Sequence, residues 1–203
     1  MSSITFQEQA GTIALEQYEW TRVWFEDTYD TTARRVAYIG DSISEGTHCQ
    51  ATRLSNRKIL FNNFASSKAV DNPNYYPAIS MFLKENPKLD AILINNGLHG
   101  FHLTEDAYKI HYQTVIRQLK ADFPDTPIYL LLTTAISPTL ETCPRVSVRN
   151  EMVLQIAREE KLSVIDLYSV TVHTPELKTH DGVHYTEEGY CAIARKILSE
   201  LKL

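Results

Sequence analysis

Val36-Ala37-Tyr38-Ile39-Gly40-Asp41-Ser42-Ile43-Ser44 is the stretch on which the fold turns. An unbroken apolar run, rich in β-branched and aromatic side chains, suits a strand covered on both faces, and the Gly-Asp-Ser turn then ends the run and opens a helix. Short runs of the same kind recur at Ile59-Leu60-Phe61, Ala91-Ile92-Leu93-Ile94, residues 128–132 and Val164-Ile165. Between them lie segments of helical period. Residues 75–85 follow a proline-rich turn, 105–122 carry Ala107, Ile110, Val115, Ile116 and Leu119, and 146–161 carry Val148, Met152, Ile156 and Ala157. A last helix over 187–201 starts after Thr186, an N-cap residue type. Strands alternating with helices predict a parallel sheet between two helical layers, a three-layer α/β/α sandwich.

Outward from that pattern, residues 1–33 stand apart, with Tyr18, Trp20, Val23, Trp24 and Phe25 at mixed spacing. They predict an N-terminal helical arm packed over the sheet edge of a domain spanning 34–203. A contact with a second copy of the chain, or a wall of the substrate cleft, is the alternative, because both tryptophans offer stacking surfaces. The 203 residues, 43% of them hydrophobic, are enough for one sizeable core. A formal net charge of -5 gives no electrostatic footprint for nucleic acid.

The first residues lack the basic start and apolar run of a signal peptide, and no apolar stretch is long enough for a membrane span. A soluble, cytoplasmic protein with no membrane partner is the expectation. Cys49, Cys143 and Cys191 are widely spaced and read as free thiols. His48, His102, His111, His173 and His180 form no paired metal-ligand spacing, so no metal site is expected.

The chemistry gathers at two motifs. Ligands of open α/β sheets bind at the carboxyl ends of the strands, and Ser42 falls at one. At the start of a helix its own N–H has no helical acceptor and can donate to an oxyanion. Alone, Asp-Ser after a strand reads as a helix cap. The second motif, Asp181-Gly182-Val183-His184, changes that reading, because the carboxylate can hold the imidazole in one tautomer while the other ring nitrogen faces Ser42. His184 is then general base and general acid to a Ser42 nucleophile. Asp41 is expected to order the nucleophile turn, and Asp166 to be structural.

With Gly40-Asp41-Ser42 after the first strand and Asp181-x-x-His184 before the last helix, residues 34–203 resemble the SGNH hydrolases, the GDSL esterase/lipase family. The resemblance implies a flavodoxin-like, five-stranded parallel sheet of order 2-1-3-4-5 and ester hydrolysis through an acyl-enzyme without metal or other cofactor. Two blocks depart from the family pattern. Where a glycine N–H usually joins the oxyanion hole, Ser67 is aligned. Where Gly-x-Asn-Asp is usual, the chain reads Asn95-Asn96-Gly97-Leu98-His99-Gly100, which puts His99 in the place of the donating asparagine, with Asn96 as the alternative donor.

The Gly-Leu-His version resembles a carbohydrate-esterase subgroup, which points to O-acetyl groups on a sugar. Asn96, Tyr75 in the 70–77 segment, and His180 beside Asp181 are the candidate substrate contacts. The competing readings are a catalytically silent carbohydrate-binding relative, a lipase or thioesterase acting on other acyl groups, and a flavin or nucleotide protein cradling phosphate at residues 40–44.

Overall fold

The computed structural model describes residues 15–86 and 88–203. The nucleophile stretch becomes β2 (Arg34–Gly40) running into α1 (Ser42–Leu54). After it come β3 (Ile59–Ser66), α2 (Tyr75–Lys84), β4 (Ala91–Ile94), α3 (Glu105–Asp122), β5 (Ile128–Leu131) and α4 (Cys143–Glu160). The chain closes with β6 (Ser163–Ile165), α5 (Leu167–Val172), a short 3-10 turn (Pro175–Leu177) and α6 (Glu187–Glu200). The order β3-β2-β4-β5-β6 is all parallel and reproduces the expected five strands.

A sixth strand, β1 (Thr21–Trp24), lies antiparallel on the outer edge of β3, from Thr21 opposite Ser66 to Trp24 opposite Asn63. It corrects the expected helical arm, whose residues 1–14 lie outside the described residues. The open edge of β3 offers unpaired N–H and C=O groups. A Thr-Arg-Val-Trp segment, rich in β-branched and aromatic residues, satisfies its own backbone by pairing there. The segment covers the sheet edge with its backbone rather than with its aromatic side chains. Tyr18, Val23 and Trp24 are exposed, and it is Phe25 that packs inward, 5.4 Å from the Phe82 ring.

The two-residue alternation of β2 explains the layers. Ala37 and Ile39 face one core with α2, α3 and α4, through Ile79, Phe82, Tyr112, Ile116, Val153 and Ile156. Val36 and Tyr38 face the other with α1 and α6, through Ile43, Ala51, Ile193, Ala194 and Ile197. These side chains are buried, and each large aliphatic one contributes about 1.5–3 kcal/mol by leaving water. The sandwich is therefore three layers deep, as expected. Helix α4 begins at Cys143 rather than near 146, because Pro144 fits a first helical turn, where its missing N–H costs nothing.

Among the described residues, no helix is long and apolar enough to cross a membrane.

Candidate active site

Asp41 caps α1 by accepting the Ile43 N–H at 2.8 Å, and its backbone carbonyl accepts the Ser44 hydroxyl at 2.7 Å. The turn is thereby fixed, with Ser42 the first residue of the helix and half-buried. Its N–H, one of the unpartnered donors of a helix start, sits where the positive end of the helix dipole favours negative charge.

Before α6, the segment from Thr179 to His184 closes on itself. Thr179 N–H donates to the His184 carbonyl at 2.9 Å and Gly182 N–H to the Thr179 carbonyl at 3.0 Å. Asp181 Oδ1 accepts the Thr179 hydroxyl at 2.8 Å and the N–H groups of Val183 and His184 at 2.8 and 2.9 Å. Its other oxygen lies 2.7 Å from His184 Nδ1, while His184 Nε2 lies 2.8 Å from Ser42 Oγ. Partial burial opposes ionisation of Asp181, but the His184 bond, the two backbone N–H groups and Thr179 outweigh it and hold the carboxyl well below the usual range. An ionised carboxylate only accepts, so Nδ1 carries the proton and, in the neutral ring, Nε2 is the acceptor for the Ser42 hydroxyl. The three side chains expected to act together are thus brought into one hydrogen-bonded line.

The other expected residues divide. The Ser67 N–H, expected to face an oxyanion, donates instead to the Trp20 carbonyl at 3.1 Å. The chain leading into β1 extends its pairing one step past β3 and takes that donor. Asn96 is buried and its Nδ2 donates to the Lys68 carbonyl at 2.8 Å, tying the loops after β3 and β4 together. Tyr75 does not line a cleft but is wholly buried at the start of α2 in the α2–α4 core. His180 is exposed beside Asp181. Asp166 caps α5 by accepting the Ser169 N–H at 3.0 Å.

His99 lies on the loop after β4 with 18% of its side chain exposed. Its ring stands edge-on to Trp20, centroids 6.5 Å apart, with Nδ1 3.8 Å from a Glu16 carboxylate oxygen. That loop starts beside the nucleophile turn, since Asn95 N–H donates to the Ile39 carbonyl at 3.0 Å. Among the described residues, no hydrogen bond joins His99 to Ser42 or His184.

Several residues around this loop escaped the sequence reading: Glu16, Glu105, Arg145 and Arg149. Only Arg149 left a signal. It falls in step with Val146, Val153 and Ile156 on the inward face of α4, where a charged residue is out of place unless it is paired.

A parallel α/β sandwich with a hydrogen-bonded Ser-His-Asp line at the carboxyl ends of its strands has the architecture of a serine acyl hydrolase. The model of the GDSL-like lipase/acylhydrolase family matches residues 38–192, and the chain belongs to that family. It is accordingly a carboxylic ester hydrolase.

Among solved structures, an acetyl xylan esterase is similar at 19% identity and TM-score 0.65, covering 83% of this chain and 100% of that one. A lipolytic protein of the G-D-S-L family from Veillonella parvula is similar at 18% identity and TM-score 0.68, covering 83% and 98%. The catalytic domain of peptidoglycan O-acetyltransferase A of Streptococcus pneumoniae is similar at 16% identity and TM-score 0.64, covering 83% and 92%. At these identities the likeness is one of fold. A comparison with curated protein sequences finds no match.

Proposed function

We propose that this hydrolase removes small acyl groups, O-acetyl on a carbohydrate foremost, with Ser42 as nucleophile, His184 as general base and acid, and Asp181 as the group that orients His184. The observation that carries the reading is the unbroken pair of contacts, 2.8 Å from Ser42 Oγ to His184 Nε2 and 2.7 Å from His184 Nδ1 to Asp181. Ser42 Oγ attacks the ester carbonyl as its proton passes to Nε2, and the Asp181 carboxylate stabilises the imidazolium. The Ser42 N–H and the His99 side chain receive the negative oxygen. The alcohol leaves with the proton from Nε2. A water then gives its proton to Nε2 and attacks the acyl-enzyme, and as the acid is released Nε2 returns that proton to Ser42 Oγ.

Acetylated sugar is favoured by the Gly97-Leu98-His99 block and by two of the similar folds, one named an acetyl xylan esterase and one a peptidoglycan O-acetyltransferase.

With p-nitrophenyl acetate as substrate, Ser42→Ala is expected to lower kcat on the order of 10⁴-fold or more while melting like the parent. Turnover kept within tenfold by that variant defeats the assignment. The commitment of the Ser67 N–H to Trp20 favours one second reading, a carbohydrate-binding relative with an incomplete oxyanion hole. A fluorophosphonate probe separates the two: labelling at Ser42 supports the hydrolase, and sugar binding without labelling supports the binding protein.

A further inference from the structure

The loop carrying His99 is gripped by two charged side chains from opposite sides, and neither belongs to the loop. Arg149, wholly buried on α4, donates through Nη1 to the Gly97 and His99 carbonyls at 3.1 and 2.6 Å and through Nη2 to the Gly100 carbonyl at 2.8 Å. Its Nε meets Glu105 Oε2 at 2.9 Å, and its guanidinium lies 4.3 Å from the ring centres of both Phe101 and Tyr108. On the other side, Glu16 accepts the Gly100 N–H at 2.7 Å. The His99 carbonyl and the Gly100 N–H are the two ends of one peptide group. A cation therefore holds its oxygen and an anion its nitrogen.

Helix-to-sheet packing alone does not ask for this. A buried cation is expensive unless fully paired, and a leucine on the inward face of α4 would fill the core at no such cost. Arg149 places three of its donor contacts on carbonyls of one four-residue loop. With those carbonyls turned toward α4, the peptide after His99 has no freedom to rotate. The imidazole is left on the side of Trp20 and Glu16, where its Nδ1 is 3.8 Å from the same Glu16 carboxylate.

We propose that Arg149 and Glu16 are positioning residues for the oxyanion side of the reaction: together they clamp the His99–Gly100 peptide and so set the direction of the His99 ring. The proposal rests on the reading of His99 as an oxyanion donor. It makes the segment before β1 a working part of the site rather than a cover on the sheet edge. Misplacement of a catalytic group by about 1 Å costs up to roughly 10²-fold in rate, so loosening one end of the clamp is expected to show in kcat.

Arg149 is too deep for a clean test, since its loss also strips Glu105 of one of its two arginine partners, Arg145 being the other, so the decisive variants are at Glu16. In the 203-residue protein assayed with p-nitrophenyl acetate, Glu16→Ala should lower kcat about tenfold with KM within about twofold. Glu16→Gln keeps an oxygen for the Gly100 N–H and should restore kcat to within about threefold of the parent. His99→Ala should lower kcat on the order of 10²-fold, and adding Glu16→Ala to it should change nothing further, because the clamp acts only through the ring that is gone.

Losses that multiply in the double variant, a Glu16→Ala enzyme with unchanged kcat, or a glutamine variant as slow as the alanine one would each overturn the clamp. Full activity in His99→Ala would overturn it by removing its premise. Ser42→Ala tests the hydrolase reading by itself, so the two failures are distinguishable.

Discussion

Two loops flank Ser42, and they are held in opposite ways. The loop from Thr179 to His184 is built mostly from its own residues: every hydrogen bond to Asp181 comes from within three positions of it, and from outside the Ser137 N–H reaches the Gly182 carbonyl at 2.7 Å. The loop from Asn95 to Gly100 is built by others, with Glu16, Arg149 and the β5 carbonyl of Leu131 as its anchors. Helix α4 does much of that work. Beside Arg149, Asn150 grips both ends of Thr133, accepting its N–H at 2.7 Å and donating to its carbonyl at 2.9 Å. One helix thus sets the loops after β4 and β5 together. A self-built loop can be recognised from a few adjacent letters, whereas a loop built from afar cannot.

The sharpest way to exploit the self-built loop is Asp181→Asn. The remaining carbonyl oxygen can keep the three donors that now meet Oδ1, so the loop should hold. The amide NH₂ in place of Oδ2 donates to His184 Nδ1 where the carboxylate accepted. That reverses the tautomer and turns a ring N–H toward Ser42, which then has no base. A loss in kcat on the order of 10⁴-fold is expected, with the melting temperature nearly unchanged. A loss under tenfold would mean that Asp181 shapes the loop without setting the proton.

The same contrast explains what could be read from sequence. Gly40-Asp41-Ser42 and Asp181-x-x-His184 were legible because turn, cap and hydrogen bonds are local, as were the strands and helices between them. The substrate-side details were not. Tyr75 looked like a cleft wall because the two tyrosines of its segment could stack on a sugar ring, yet the first turn of α2 carries it wholly into the core. Ser67 looked like a free donor because nothing nearby announced that Trp20, paired through an edge strand, would take its N–H. Glu16 and Arg149 act on the same four residues from far apart in the chain, and no spacing rule connects them.

Glycine substitutions rank the two loops by stability. A methyl group on Gly97 would overlap Thr133 Oγ1 and lie 2.7 Å from Thr133 Cβ. Thr133 is buried, its backbone held by Asn150 and its hydroxyl by Asn95 Nδ2 at 3.0 Å, so neither side can yield, and Gly97→Ala should cost about 3 kcal/mol in urea unfolding. Gly182 has φ of +73° and a substituent there would meet Ser137 Cβ at 2.6 Å. That turn is half-exposed and can shift, so Gly182→Ala should cost about 1–2 kcal/mol. Adding Thr133→Ala should recover part of the Gly97→Ala loss and none of the Gly182→Ala loss. The reverse ranking would show that the 95–100 loop is the looser of the two.

The smallest expected effect is one of acidity, and it too belongs to the self-built loop. Hydrogen bonds depress the folded-state pKa of Asp181, so the carboxylate adds stability that is present above the unfolded carboxyl pKa of about 3.9 and is lost as the pH falls through the folded value. With 41% of the side chain exposed, solvent screens the effect and its size is modest. Asp181→Asn has no such proton to bind. The small gap in melting temperature between parent and variant should therefore be widest at pH 6, already reduced at pH 3, and narrower still below it. A gap independent of pH would mean that the donors around Asp181 serve the backbone turn equally well with a neutral acceptor, and that the charge is kept for His184 alone.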